Sequence, residues 1–480
     1  MLGKTSFFLL ALIAGLATSW LNRDRHLPQH IPPYVDLLSM TARDIASLLE
    51  NNTFTSLEVV NEYVRRIKLD DRSGLGLHSI LELTPLSTLV GIAKQRDLER
   101  QCGLIRSPLH GIPLIVKRNM ATDASLFIKT SSSAFALRNA TAVHDAHIVA
   151  KEREAGLIII GKANLGELNG FKKVAELAIP LATRSLLTSF HPCGSSARST
   201  TAVTAGFTPL ALRAETQGSI SYPASFTTLY GLTTSTGLLS RSGILPSSTT
   251  FDSPGILAKS PWDVAALLTE IDGVDPRDPI TIESKPFRLN FTHHLDASWR
   301  DFRIGVADKE WFWSIFPGFF GDKEDLKDEE KSLSDLVEFN KNNSASSQSK
   351  AQAYLEAAIN QHLSPEEYKD ALLEARRTGL EEGIVETLDS YNLDVLVLPA
   401  WTGMSIYATW AQAPTATVPL GKYRHGKPYG LGFVARLFDD GKFLQIMHFY
   451  EKTFPRRAVP HRMRVKIWQS FLPRKYLGSF

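Results

Sequence analysis

The sequence predicts an α/β protein. Short apolar runs of strand length alternate with stretches of helical periodicity, and the same alternation returns in the last quarter of the chain. The length of 480 residues fits about three ordinary domains or one large α/β domain. A content of 43% hydrophobic and 21% charged residues excludes a disordered, collagen-like or coiled-coil chain. We therefore expect a sizeable core around a sheet that draws strands from both halves.

Two kinds of signal define the elements of the first half. A helix is predicted where a capping box precedes apolar residues at helical spacing, or where a periodic stretch stops at a glycine. A buried strand is predicted where a short apolar run is bounded by Gly or Pro. In chain order, these signals predict a helix from the capping-box pair Thr55 and Glu58, a strand at Leu114 to Val116 ending at Lys117, a helix at Asp145 to Ala155, a strand at Leu157 to Ile160 closed by Gly161, and a strand-like run at Pro209 to Leu212.

The second half shows the same signals. Ser364, Pro365 and Glu367 predict the start of a long helix, because they combine a capping box with proline at the first helical position. Asp394 to Pro399 and Ala416 to Pro419 are apolar runs that predict two further strands.

Composition and charge exclude several classes of function. The formal net charge of +3 is too small for a dedicated nucleic-acid binder. The two cysteines, Cys102 and Cys193, cannot form a Cys₄ zinc site, and no CxxC or HExxH motif occurs. They are expected to be isolated buried thiols, with a disulfide between them as the alternative. His144 and His147 lie one helical turn apart without a third ligand, so we expect surface residues and neither a metal nor a cofactor.

The amino-terminal residues have the pattern of a secretory leader. Ser6 to Ala17 is mostly apolar and too short for the about twenty residues of a membrane span. Ala17 and Ser19 form an A-x-S cleavage pattern, so residues 1–19 are predicted to be a signal peptide of a secreted protein, with an uncleaved membrane anchor as the alternative. Four N-x-S/T sequons agree with this route, although a chain rich in Ser and Thr produces some by chance: Asn51, Asn139, Asn290 and Asn342.

The carboxy-terminal residues form a basic tail. Seven Lys and Arg residues, with no acidic residue among them, lie between Arg456 and Lys475. Since this exceeds the net charge of the whole chain, the remainder is slightly acidic. We assign residues 461–480 to the tail, which is either a solvated end or a peripheral contact with an anionic membrane surface.

One lysine invites a mechanism. Lys117 directly follows an apolar strand, where an ammonium group would be poorly solvated and its pKa would fall. Neutrality near pH 7 from a reference pKa of about 10.4 requires about 4.6 kcal/mol, which only a buried site supplies. The alternative is an ordinary lysine that reaches back to water at the end of its strand.

Five segments together resemble the amidase signature family, the serine hydrolases related to fatty acid amide hydrolase. Further matches lie at Ala416 to Gly421 (ATVPLG) and at Gly430 and Leu431. Together, the order and context match over about residues 40 to 460, and the combination is far more specific than any single motif. The resemblance implies one amidase domain, residues 30–460, built on a large mixed β-sheet covered by helices on both faces. The segments are His110 to Lys117 (HGIPLIVK), Asp145 to Leu165 (DAHIVAKEREAGLIIIGKANL), Cys193 to Ser196 (CGSS), Glu215 to Ile220 (ETQGSI) and Ser240 to Pro246 (SRSGILP).

The resemblance also implies an activity and a site. Carried onto this sequence, the family's triad makes Ser219 the nucleophile, Ser195 a relay on a cis peptide, and Lys117 the base. The substrate would be a small-molecule carboxamide, hydrolysed through an acyl-serine, and a homodimer is compatible with these observations. Ser196 would support the site by hydrogen bonding or, alternatively, cap the following helix. The oxyanion would be bound by the backbone amides of Thr216, Gln217, Gly218 and Ser219.

Departures from the family pattern keep a second class open. Arg118 stands where the family commonly has an acidic residue, Cys193 and Arg198 alter the glycine-rich serine loop, and residues 171–190 replace its usual approach. A catalytically weakened family member that binds a ligand or partner is therefore the alternative to an active amidase. A Ser-His-Asp triad with His191 is disfavoured because the sequence lacks a G-x-S-x-G motif.

Overall fold

The computed structural model describes residues 36–170, 194–307, 363–424 and 426–460, together with isolated positions between 337 and 360. From Asp36 onward the chain forms one compact unit. Within the described ranges, no helix has the length and apolarity to cross a bilayer. The predicted leader and tail, Cys193, His191 and residues 171–190 lie outside the described residues.

One mixed sheet of ten strands forms the centre of the described structure, in the order β1-β3-β2-β4-β6-β5-β9-β10-β8-β7. Five strands come from the first half of the chain and five from the second, so the prediction that both halves contribute strands is confirmed. The strands are β1 (Ile80–Leu83), β2 (Pro113–Lys117), β3 (Ile158–Ala163), β4 (Leu210–Glu215), β5 (Tyr230–Thr233), β6 (Ser253–Ala258), β7 (Ile304–Val306), β8 (Val395–Pro399), β9 (Thr415–Lys422) and β10 (Pro428–Val434).

Helices cover both faces of this sheet, as predicted. The capping boxes expected at Thr55 and Ser364 are both formed, because each hydroxyl accepts an amide proton and each glutamate three residues later bonds back to the cap. The α-helices are α1 (Ala42–Glu50), α2 (Ser56–Arg66), α3 (Leu86–Gln101), α4 (His147–Glu154), α5 (Ala197–Thr204), α6 (Ser221–Thr227), α7 (Pro261–Ile271), α8 (Pro365–Arg376), α9 (Glu386–Ser390), α10 (Met404–Trp410) and α11 (Asp440–Thr453), with π-helical turns at Ile67–Arg72 and Arg377–Val385.

Two predicted boundaries are wrong for reasons that lie in the packing. Gly161 does not end β3 but lies inside it, because a Cβ there would stand 2.4 Å from the carbonyl oxygen of Glu82 on β1. The glycine thus permits a close approach of two strands. Helix α4 begins two residues later than predicted, since the Asp145 carboxylate accepts the Asp123 amide at 2.6 Å and binds Arg153.

Strand β4 continues three residues beyond the predicted run. The extension carries the charged residues Arg213 and Glu215, both of which are buried. Strand β4 pairs in parallel with β2 and antiparallel with β6, so it lies in the interior of the sheet. The parallel pairing brings the carboxyl ends of β2 and β4 to the same edge, with Lys117 and Glu215 as their last residues.

Candidate active site

Three side chains predicted for the site meet at the carboxyl end of β2. The Nζ atom of Lys117 donates a hydrogen bond to Ser195 Oγ at 2.8 Å, and Ser195 Oγ lies 2.8 Å from Ser219 Oγ. Lys117 Nζ also donates to the carbonyl oxygen of Ala214 at 2.9 Å. The lysine is buried, whereas both serines are half-buried. The result is a continuous chain of hydrogen bonds from a buried amine to a hydroxyl that solvent can reach.

The loop that carries Ser195 packs directly on the loop that carries Ser219. Gly194 has a φ of +71°, and a Cβ on it would lie 2.9 Å from Pro223 Cδ and 3.0 Å from the carbonyl oxygen of Gly218. All peptide bonds among the described residues are trans, so the cis peptide expected at Ser195 is not present. The left-handed conformation of Gly194 makes the turn that presents the Ser195 hydroxyl.

A buried carboxylate fixes the backbone around Ser219. Glu215 Oε2 accepts the amide of Ser221 at 3.0 Å and also the amide of Ile220. Gly218 has a φ of +68°, and any Cβ there would collide with the ring of Tyr222 at 2.6 Å. Ser219 is therefore held between a glycine turn and the start of α6.

Two further contacts hold the loop from its other side. The carboxylate of Asp252, in the segment before β6, accepts the hydroxyl of Thr216 and the amide of Ser247, the latter at 2.7 Å. Thr409 on α10 donates its hydroxyl to the carbonyl oxygen of Thr216 at 2.7 Å. The loop that carries Ser219 is thus tied both to the segment before β6 and to α10.

The electrostatics favour a neutral lysine. Burial lowers the pKa of Lys117 well below its usual range, and the positive charge of Arg213 lowers it further. The carboxylates of Asp252 and Glu215 act in the opposite direction. Burial raises the pKa of both of these acids. A lysine with a lowered pKa can accept a proton at a pH where an exposed lysine cannot.

The four amides predicted to bind the oxyanion lie on the turn between β4 and α6. Of these residues, Gln217 is exposed, and Thr216 and Ser219 are half-buried. The amide of Gly218 also faces the carboxylate of Glu215. Because one of the four amides is already engaged by Glu215, the assignment of all four to the oxyanion stays a prediction.

Ser196 makes neither of the two hydrogen bonds predicted for it among the described residues. Its residue is fully buried, yet its Oγ has no hydrogen-bond partner among the described residues. It precedes α5 without a side-chain capping bond. The backbone geometry accounts for this, because Ser196 has φ −92° and ψ +8°, away from the extended conformation in which a cap hydroxyl reaches the first turn.

The arginines that depart from the family pattern point away from Lys117. Arg118 Nε donates to Ser131 Oγ at 2.5 Å, and its Nη1 lies 3.7 Å from Glu82. Arg198 Nη1 donates to the carbonyl oxygen of His78 at 2.8 Å. Neither arginine interacts with the serines, so these two departures leave the hydrogen-bond chain intact.

The remaining predicted sites are outside this cluster. His144 is exposed, and Nδ1 of His147 lies 3.4 Å from Asp275 Oδ2. In the described part of the chain, no group of three or more His, Cys, Asp or Glu side chains is arranged for a metal. Cys102 is a free thiol and is exposed at the end of α3, so the expectation of a buried or disulfide-bonded cysteine is wrong there.

Sequence reasoning missed the groups that support the site. Asp252 and Thr409 lie far from the motifs and carry no local signal. Arg213 and Glu215 could have been noticed in the sequence, because these two charged residues directly follow an apolar run and precede the proposed nucleophile. Their burial could not be read from the sequence, since exposed strand ends carry the same residue types.

Comparisons with known proteins identify the family of this chain. The family model described as Amidase matches residues 58–319. The chain is 26% identical to a protein of Schizosaccharomyces pombe named as an amidase, over 89% of this chain and 87% of that one. It is 28% identical to a protein of Arabidopsis thaliana that is also named as an amidase, over 88% of this chain and 91% of that one.

A solved structure shows the same fold. The peptide amidase of Stenotrophomonas maltophilia superposes with a TM-score of 0.77 at 29% identity, covering 88% of this chain and 98% of that chain. The fold and the family match define a hydrolase built on the amidase architecture. The chain belongs to the amidase family, and it is an enzyme that hydrolyses the C–N bonds of amides.

Proposed function

We propose that this enzyme cleaves carboxamides through an acyl-serine on Ser219, with Ser195 as the relay and Lys117 as the base. The observation that carries this proposal is the unbroken chain of contacts Lys117 Nζ, Ser195 Oγ and Ser219 Oγ, each 2.8 Å long. A serine hydroxyl is a weak nucleophile unless a base is within hydrogen-bond reach. These contacts connect Ser219 to such a base, Lys117, through Ser195.

In the first half of the reaction, Ser219 Oγ attacks the amide carbonyl carbon. Its proton passes to Ser195 Oγ, whose own proton passes to neutral Lys117 Nζ. Hydroxyl protons rotate freely, so the same contacts carry protons in either direction. The negative charge that develops on the carbonyl oxygen would be met by backbone amides of residues 216–219.

The intermediate then collapses and the C–N bond breaks. The leaving amine takes a proton from Ser195, which is replenished from Lys117, and the acyl group remains on Ser219. In the second half, a water molecule passes its proton along the same relay to Lys117 and attacks the acyl-serine. The bond to Ser219 Oγ then breaks, the acid leaves, and Ser219 Oγ takes the proton back through Ser195. Esters are expected to react as well, because they present a better leaving group to the same nucleophile.

A fluorophosphonate serine probe tests the nucleophile. The folded protein is incubated with the probe, and the labelled peptide is located by mass spectrometry. Label on Ser219, lost in Ser219→Ala, supports the proposal. Ser221→Ala is a matched control, since Ser221 lies two residues away and its hydroxyl faces Glu215 rather than Lys117. Label on another residue, or undiminished labelling of Ser219→Ala, would refute the nucleophile assignment.

We also propose that the chain follows the secretory route that its first nineteen residues predict. The four sequon residues Asn51, Asn139, Asn290 and Asn342 are all described and all exposed, which leaves them accessible to glycosylation. Intact-mass measurement on protein purified from a eukaryotic host checks both features. An unprocessed, unmodified chain would contradict the route.

A further inference from the structure

A fully buried arginine lies in the sheet, on the strand next to the one that carries Lys117. Arg213, on the central strand β4, is 0% exposed. None of its three guanidinium nitrogens has a hydrogen-bond partner among the described residues. A guanidinium carries five N–H donors and a positive charge, so its burial without an acceptor is costly. A protein that only needed to fill this space would do better with an apolar side chain.

The strand register places this charge beside the base. Strands β2 and β4 run parallel, with Ile115 opposite Ala211 and Val116 opposite Leu212. Continuing the register by one residue sets Lys117 beside Arg213, and neighbours in register share a face of the sheet. The carbonyl that accepts the Lys117 hydrogen bond belongs to Ala214, the residue next to Arg213.

The acidic groups near this pair are engaged elsewhere. On β4, Glu215 accepts the amides of Ile220 and Ser221, and Asp252 accepts Thr216 and Ser247. Neither carboxylate bonds to Arg213 or Lys117 in the described structure. The positive charge of Arg213 is therefore opposed by these acids only through space.

The other cations nearby face different partners. On β3, Lys162 pairs in register with Val116, and its Nζ donates to the carbonyl oxygen of Met120. Arg198 on α5 bonds to His78, and Arg118 bonds to Ser131 near Glu82. After burial, the charge of Arg213 is the main influence that lowers the pKa of Lys117.

We propose that Arg213 is a positioning residue whose positive charge, which no acidic group bonds within the described residues, holds Lys117 in the neutral, proton-accepting form and thereby sets the lower pH limit of the reaction. This inference rests on the proposed function, in which Lys117 is the base. Burial lowers the pKa of Arg213 to about 9, so the guanidinium remains charged at neutral pH while it repels a second charge on Lys117. The structure thus keeps an unfavourable buried charge where the reaction gains from it.

The test is the pH dependence of Ser219 labelling by the fluorophosphonate probe, measured from about pH 5 to about pH 10. In the unaltered protein, the labelling rate rises with pH as Lys117 loses its proton. In Arg213→Met, which keeps the bulk and removes the charge, the midpoint of this rise should move upward by about 1–2 pH units, while the plateau rate at high pH is kept within a few-fold. Arg213→Gln repeats the test if the methionine variant does not fold.

Arg118→Met is the matched control. Arg118 is the next residue after Lys117 and is also a buried arginine, but its side chain bonds to Ser131. Burial and then the charge of Arg118 lower the pKa of Lys162 to about 7. The midpoint should stay where it is in this variant, which also shows that Lys162 does not produce the rise.

Three results would overturn the inference. They are an unchanged midpoint in a folded Arg213 variant, an equal movement in Arg118→Met, and a loss of labelling at every pH in a folded Arg213 variant. Each is distinct from failure of the proposed function, which would appear as persistent labelling of Ser219→Ala in the otherwise unaltered protein.

Discussion

Replacing Gly194 by alanine should move Ser195 away from Ser219 without unfolding the protein. The added Cβ would lie 2.9 Å from Pro223 Cδ and 3.0 Å from the Gly218 carbonyl oxygen, whereas ordinary contacts begin at 3.4 Å. The two loops must therefore move apart by about 0.5 Å, which lengthens the Ser195 to Ser219 contact from 2.8 Å to about 3.3 Å. Because a misplacement of about 1 Å can cost about 100-fold in rate, we expect the labelling rate of Ser219 to fall at least about tenfold.

Gly103→Ala separates this effect from backbone strain. Gly103 has a φ of +74°, close to the +71° of Gly194, but a Cβ on it meets nothing within 4 Å. Both variants should lose about 1–2 kcal/mol of unfolding free energy, because both place an L-residue in the left-handed region. Thermal or denaturant unfolding measures that loss, and the probe measures the site. Equal labelling rates for Gly194→Ala and the unaltered protein would show that the site does not need the close packing of the two loops at Gly194. An equal fall in the labelling rate of Gly103→Ala would show that backbone strain alone is responsible.

Two further predictions concern charge. Lys117→Met should lower the rate of amide cleavage and of Ser219 labelling at neutral pH by about 10²–10⁴-fold, because the relay then has no base, and comparable activity in that variant would remove Lys117 from the mechanism. Asp440 accepts both the amide and the hydroxyl of Ser235, at 2.9 and 2.6 Å, and burial raises its pKa to about 6. An acid whose pKa is raised by folding stabilises the folded state below its unfolded pKa, and that contribution is lost as the pH rises to about 6. Asp440→Asn should therefore reduce the fall in unfolding free energy between about pH 4 and about pH 7 by up to about 3 kcal/mol, and denaturant titrations with an unchanged pH dependence would contradict the assignment.

Two differences between the predicted and observed strands have a common cause. The sequence predicts that Gly161 ends a strand, yet it lies inside one because the neighbouring strand approaches too closely for a side chain. The run at Pro209 to Leu212 is predicted to stop before Arg213, yet the strand continues through two buried charges. Local rules treat glycine and charged residues as signs of a chain end, because most of them are exposed. Only the packing of distant strands shows when they are not.

The motifs predicted the family, the fold class and the three side chains that meet at the site. That was possible because those residues are constrained by chemistry: a serine needs a base, and the base needs a buried strand end. The groups that support them follow from packing instead. Glu215 and Asp252 hold the loop that carries Ser219, and Arg118 and Arg198 turn away from it. Ser196 makes no side-chain hydrogen bond within the described ranges.

An α/β hydrolase of the amidase family, with a lysine and two serines in its motifs, follows from the amino-acid sequence alone. The position of Arg213 beside Lys117 does not, because a strand's register with its neighbour depends on residues nearly a hundred positions apart. The charge state of a buried base depends on every charge that the fold brings near it. The combined effect of these charges can be known only from the tertiary structure, and here it depends on the alignment of β2 with β4.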